Sequence, residues 1–141
     1  MKSRPRRSAL YMPGSNARAL DKARTLPADM LILDLEDAVA PERKPAARQQ
    51  VREAIAAGGY GRRELLVRVN ALDTPWGAED LRAFAGAGAD GIVLSKVASP
   101  ADVLQAVRIL EASGAPDSLA LWFMAETARC IAAQGFTLDA V

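Results

Sequence analysis

The chain predicts an α/β fold built on a parallel sheet, and three observations point there. Five short, nearly continuous apolar runs alternate with stretches of helical character. The strand–helix unit recurs roughly every 30 residues, the length of a βαβ unit. Strands this uniformly apolar belong to sheets covered by helices. Two architectures fit, a doubly wound sheet and a β/α barrel. Neither GxGxxG nor GxxxxGK[ST] occurs, so the nucleotide-binding form of the doubly wound sheet has no support.

The strands are expected in "SALYM" (8–12), "MLILDLE" (30–36), "ELLVRVN" (64–70), "GIVLSKV" (91–97) and "LALWFMAE" (119–126). The first helix, "NARALDKARTL" (16–26), follows a Pro-Gly-Ser turn. The second, within 41–59, has Pro41 near its start, Ala47, Val51 and Ile55 on one stripe, and Gly58-Gly59 at its end. The third, 76–88, follows a Thr-Pro turn. The fourth, 100–114, carries Val103, Val107 and Leu110 at helical spacing and ends in Gly114. "TARCIAAQG" (127–135) closes the series. With no linker or low-complexity tract, residues 1–141 read as a single domain. A barrel needs eight units and typically about 250 residues. The chain supplies about five, so the barrel reading makes it the amino-terminal part of one.

Composition narrows the function. Half of the 141 residues are hydrophobic and a quarter charged, as in globular proteins. The 18 basic and 17 acidic side chains leave a net charge of +1, so nothing global points to nucleic acid. The basic "KSRPRR" (2–7) reads as a terminal arm. No apolar stretch is long enough for a membrane span or signal peptide, and the cytoplasm is expected. Cys130 is the lone cysteine, expected as a small buried helical residue, and excludes an internal disulfide. The absence of histidine excludes Cys–His and Ser–His catalysis within one chain.

Alternation along the strands suggests which side chains meet. Ile32, Asp34 and Glu36 share a parity, as do Leu66, Arg68 and Asn70, then Ile92, Leu94 and Lys96, then Trp122, Met124 and Glu126. Each set starts apolar and turns polar at the carboxyl end, where parallel β/α folds place function. If these parities face inward, Glu36, Arg68, Asn70, Lys96 and Glu126 converge on one mouth.

Carboxylates without histidine or thiolate suit a hard cation such as Mg²⁺. Arg68 suits a substrate carboxylate or carbonyl oxygen, and an arginine and a metal on one oxygen would stabilise an enolate. Glu36 and Asp37 could instead pair with Arg68 or Lys96 structurally, and Asp34 is expected to be structural. In "PGSNARALDK" (13–22), Arg18 and Lys22 lie four apart beside a helix start. This reads either as an anion site for a phosphorylated ligand or as a solvated basic face. Trp76 reads as a loop anchor, and Met12, Met30 and Met124 as core.

"RSALYMPGSNARALDKA", "ADMLILDLEDAVAPERKPAAR", "ELLVRVNALDTPWGAEDL", "ADGIVLSKV" and "LWFMAETAR" resemble consecutive blocks of the citrate lyase beta-subunit family. This group lies within the HpcH/HpaI aldolase superfamily, beside malyl-CoA and citramalyl-CoA lyases. The resemblance runs from about Arg7 to the end.

It implies a TIM-type (β/α)8 barrel, of which this chain holds the first five units, and Mg²⁺ as cofactor. It also implies cleavage of a 3-hydroxy-acyl thioester, carried on CoA or an acyl carrier protein, into an acetyl-type thioester and a 2-oxo acid. By resemblance Arg68 contacts the oxo acid, Glu126 is a metal ligand that also meets substrate, and Glu36 and Asp37 lie at the site. Arg18 and Lys22 lie near the CoA nucleotide, and Lys96 is a substrate-binding candidate. The family usually has Pro-Lys at Ser95-Lys96 and Glu-Thr-Pro at Glu126-Thr127-Ala128. Its second metal carboxylate would lie beyond Val141, and Asp139 does not match that motif. Family habit implies a homo-oligomer, commonly a trimer. The alternative is a non-catalytic subunit or assembly module of a lyase complex.

Overall fold

Strand order decides between the two architectures. In the computed structural model, which describes residues 5–132, five strands form one parallel sheet. They are β1 (Ala9–Pro13), β2 (Met30–Asp34), β3 (Glu64–Val69), β4 (Gly91–Leu94) and β5 (Ala120–Phe123). Their order in space is their order in the chain. A doubly wound sheet reverses direction at a switch point; this sheet does not reverse.

The helices α1 (Ala17–Lys22), α2 (Lys44–Ala57), α3 (Gly77–Phe84), α4 (Pro100–Ala112) and α5 (Ala128–Ala132) alternate with the strands. The two faces of the sheet differ. Leu31, Leu33, Leu65, Val67, Val69, Ile92 and Leu94 pack with Leu20, Val51, Ile55, Leu81, Phe84 and Val103 of the helices. On the other face Met30, Ile32, Leu66 and Val93 cluster with Trp122 and Met124, without a helical residue. Helices on one face and strand side chains alone on the other are barrel geometry. Each fully buried Leu or Phe side chain contributes about 1.5–3 kcal/mol. The helix-side core therefore supplies most of the burial, and the inner face is free to turn polar at its carboxyl end.

Local chemistry sets the helix ends. The first helix is shorter than the expected 16–26. Asn16 caps it by accepting from Ala19 N, and after Lys22 the bonds tighten to Arg24 N→Asp21 O and Thr25 N→Lys22 O. The second begins at Lys44, after a 3-10 turn over Pro41–Arg43, and ends where Gly58 takes φ +66°. On α4, Ala106 is buried where Val107 was expected, since Val107 is only half-buried. Cys130 is buried on α5. The end of the 127–135 stretch and Asp139 lie outside the described residues. Among the described residues no helix is long and apolar enough to cross a membrane.

Candidate active site

At the carboxyl end of the inner face, Asp34 and Arg68 are register partners on β2 and β3. Both are buried. Arg68 Nε donates to Asp34 Oδ1 at 2.8 Å and Nη2 to Oδ2 at 2.7 Å, a planar fork that a point cation cannot reproduce. The bond to Asp34 raises the guanidinium pKa despite burial, so Arg68 stays charged. Asp34 also accepts from Glu36 N at 2.9 Å and Ala38 N at 3.2 Å. One carboxylate thus closes the turn after β2 and orients the arginine.

The third nitrogen of Arg68 faces the mouth. Nη1 lies 3.3 Å from Glu36 Oε2 and 3.7 Å from Met124 Sδ. The Tyr11 ring, on β1, lies 4.9 Å from the guanidinium carbon. Lys96 Nζ ion-pairs with Glu36 Oε1 and, at 3.1 Å, with Asp37 Oδ1. These bonds, Glu36 foremost, hold the ammonium above its ordinary pKa, and Lys96 in turn lowers that of the exposed Asp37. Lys96 N donates to Glu126 Oε1 at 2.8 Å. Glu36, Asp37, Arg68, Lys96 and Glu126 are thereby linked into one group.

Two sequence expectations need correction. Arg68 pairs with Val93, and Val93 with Trp122. The inward parity of β4 is therefore Gly91 and Val93, while Ile92 and Leu94 join the helix-side core. Lys96 reaches the mouth through a backbone reversal, for its φ is +52°. That conformation costs a non-glycine residue about 1–3 kcal/mol. Asn70 likewise lies past the end of β3 and does not join the ion-pair group. Its N and Nδ2 donate to Asp80 Oδ2, Nδ2 also donates to Leu35 O, and Oδ1 accepts from Lys44 Nζ.

Arg18 and Lys22 are exposed on α1, and neither is ion-paired with an acid of the mouth. Trp76 is half-buried at the start of α3, with the Lys44 ammonium 5.3 Å from its ring centre. Sequence reasoning missed Tyr11 and Lys44. Lys44 did leave a signal, since it extends the α2 stripe of Ala47, Val51 and Ile55 by one turn. A cavity of about 130 Å³ opens between the loops after β3 and β4, lined by Asn70, Leu72, Lys96 and Val97 among others.

Among the described residues no group of three or more His, Cys, Asp or Glu is assembled around a metal position. The donors at the mouth are nevertheless all oxygen. Mg²⁺ needs only one or two protein carboxylates, with water and substrate completing its shell. The exposed Glu126 fits that part.

The chain matches the HpcH/HpaI aldolase/citrate lyase family over residues 7–134. It is 52% identical over 124 residues to a (3S)-malyl-CoA thioesterase of Cereibacter sphaeroides, covering 88% of this chain and 41% of that one. It is 44% identical over 117 residues to the citrate lyase subunit beta of Escherichia coli, covering 80% and 39%. A crystal structure of the protein CitE from Mycobacterium tuberculosis with magnesium and acetoacetate superposes with a TM-score of 0.66. It has 32% identity, covering 88% of this chain and 47% of that one. The chain thus spans less than half the length of these relatives.

Proposed function

The chain belongs to the HpcH/HpaI aldolase/citrate lyase family, and we propose that its polar mouth cleaves a 3-hydroxy-acyl thioester at the carbon–carbon bond, with Mg²⁺ as cofactor. The observation that carries this reading is the third nitrogen of Arg68. Asp34 takes two of the three nitrogens of a buried, permanent cation, and the third, Nη1, faces the mouth beside Glu36 Oε2. Nη1 can donate to a carboxylate or carbonyl oxygen of a 2-oxo acid.

In the cleavage, a carboxylate takes the hydroxyl proton, and the carbinol carbon becomes the carbonyl of the 2-oxo acid. The electrons of the broken bond pass to the thioester as an enolate, which is then protonated to an acetyl-type thioester. Glu36 and Asp37 would take the proton, and Arg68 would orient the oxo-acid portion. Lys96 would balance their charge and meet substrate. Mg²⁺, held by Glu126, would supply Lewis-acid polarisation of the substrate oxygen. Arg18 and Lys22 would meet the anionic carrier, CoA or acyl carrier protein. A cytoplasmic homo-oligomer, a trimer by family habit, completes the reading.

A second reading is thioester hydrolysis, favoured by the 52% identity to a protein named a thioesterase. The products separate the two, since cleavage releases a 2-oxo acid and hydrolysis a free thiol. The test incubates the protein with Mg²⁺ and malyl-CoA, scoring oxo acid by hydrazone formation and thiol by disulfide exchange. Oxo-acid formation that is lost in Arg68→Ala and Glu126→Ala is expected. Free thiol without oxo acid, or full activity in both variants, overturns the lyase reading.

A further inference from the structure

We propose that Lys44 is a positioning residue for this site: its buried ammonium fixes Glu36 from behind and ties it to the end of β3. The inference rests on the reading above, in which the Glu36 carboxylate takes part in the reaction.

Lys44 is the first residue of α2 and is 7% exposed. Its Nζ donates to Leu35 O at 2.9 Å, to Glu36 O at 2.8 Å and to Asn70 Oδ1 at 2.6 Å. An ammonium has three protons, and all three are used. Burial is the largest influence on this group and pushes its pKa down. Stability alone would place a leucine here, because the position continues an apolar stripe and desolvating a charge is unfavourable. Instead the chain buries a cation and aims it at the loop that carries the mouth's acids.

The consequence falls on Glu36. Its N–H is held by Asp34 Oδ1 on one side and its carbonyl by Lys44 on the other. Asp34 in turn grips Arg68. Two buried charged groups thus clamp the Glu36 backbone, leaving the side chain to point at Arg68 Nη1 and Lys96. A second brace returns to the same helix. Asn70 Nδ2 donates to Asp80 Oδ2 at 2.7 Å, and Asp80 Oδ1 accepts from Arg48 Nε at 2.6 Å. Lys44, Asn70, Asp80 and Arg48 close a ring from α2, through β3 and α3, back to α2 one turn on. Two points of support resist rotation of the loop better than one.

The test compares Lys44→Met with wild type in oxo-acid release and in amide hydrogen exchange. Mispositioning a reacting group lowers rate more than affinity, so kcat should fall about 10- to 100-fold with KM little changed. Because Lys44 acts through Glu36, the loss should vanish in the Glu36→Gln background. Amide exchange at residues 36–38 should accelerate at least tenfold, while β2 itself stays protected. Asn70→Ala, which cuts the same link from β3, should show the same dependence on Glu36, and it serves if Lys44→Met does not fold. Wild-type kcat in Lys44→Met, losses additive with Glu36→Gln, or unchanged exchange at 36–38 would overturn the role. An inactive wild type counts against the lyase reading alone, since the exchange comparison still decides Lys44.

Discussion

The Asp34–Arg68 fork can be weighed by a double-mutant cycle. Arg68→Met removes the guanidinium and leaves a carboxylate, 1% exposed, holding only two backbone N–H groups. Asp34→Asn leaves a buried guanidinium with Glu36 Oε2, 3.3 Å away, as its remaining acid. Arg68→Met breaks two charge-assisted bonds of 2.7–2.8 Å, each with a net value of about 1.5–3 kcal/mol, and Asp34→Asn breaks one of them and takes the anionic charge from the other. That sum agrees with the 3–5 kcal/mol lost, to order of magnitude, when one partner of a buried pair is removed. Against a total stability of about 5–15 kcal/mol, either single variant should be strongly destabilised. The double variant strands neither charge, so its loss should fall short of the sum by about 2 kcal/mol or more. Urea unfolding followed by circular dichroism measures all four corners. Single losses below about 1 kcal/mol, or additivity within about 0.5 kcal/mol, would mean that the pair behaves as a solvated surface bridge. The buried-anchor argument for Arg68 would then fail.

Two further outcomes follow from other parts of the fold. A Cβ at Gly77 would lie 2.3 Å from Ala71 O and 2.8 Å from Asn70 O, both backbone atoms, so Gly77→Ala must prise α3 from the loop after β3. We expect a loss of about 1–3 kcal/mol, and a wild-type melting temperature would refute it. Asp29 is held at about 2, below its ordinary 3.8, chiefly by the Arg7 side chain and then by the Arg7 backbone N–H. A depressed acid contributes stability that is present above about pH 4 and is lost as pH falls toward about 2. Asp29→Asn should therefore flatten the dependence of the urea midpoint over that window, and equal slopes in both proteins would refute the linkage.

What could be read from sequence, and what could not, divides at the strand ends. Within β2, β3 and β5 alternation is a geometric necessity of the extended chain. Ile32, Asp34, Leu66, Arg68 and Trp122 accordingly share the inner face. Past the last ladder bond that necessity lapses. Asn70 and Lys96 both lie in loops, where turn geometry rather than parity aims the side chain. On β4 the pattern was also misread at its root, because Ile92 and Leu94 are as apolar as Val93 and alternation without polarity has no direction. Lys44 was overlooked because a helical lysine is ordinarily solvated; only its place on the apolar stripe betrayed it. The fork between Asp34 and Arg68 was legible as two charges in a core, though the turn that Asp34 also closes was not.

The left-handed kink at Lys96 has an evolutionary corollary. Of the side chains linked around the mouth, Glu36, Asp37, Lys96 and Glu126 all follow their strands instead of lying within them. The wall beneath is written in the strands, from Met30 to Trp122. The two layers can then mutate on separate clocks: a rim residue can be exchanged without repacking the wall, and the wall can drift without re-aiming the rim. Arg68 is the exception, a rim function rooted in a strand and bolted to Asp34. A scaffold divided in this way can change its chemistry while keeping one anchoring cation, and its relatives carry the names of both lyases and thioesterases.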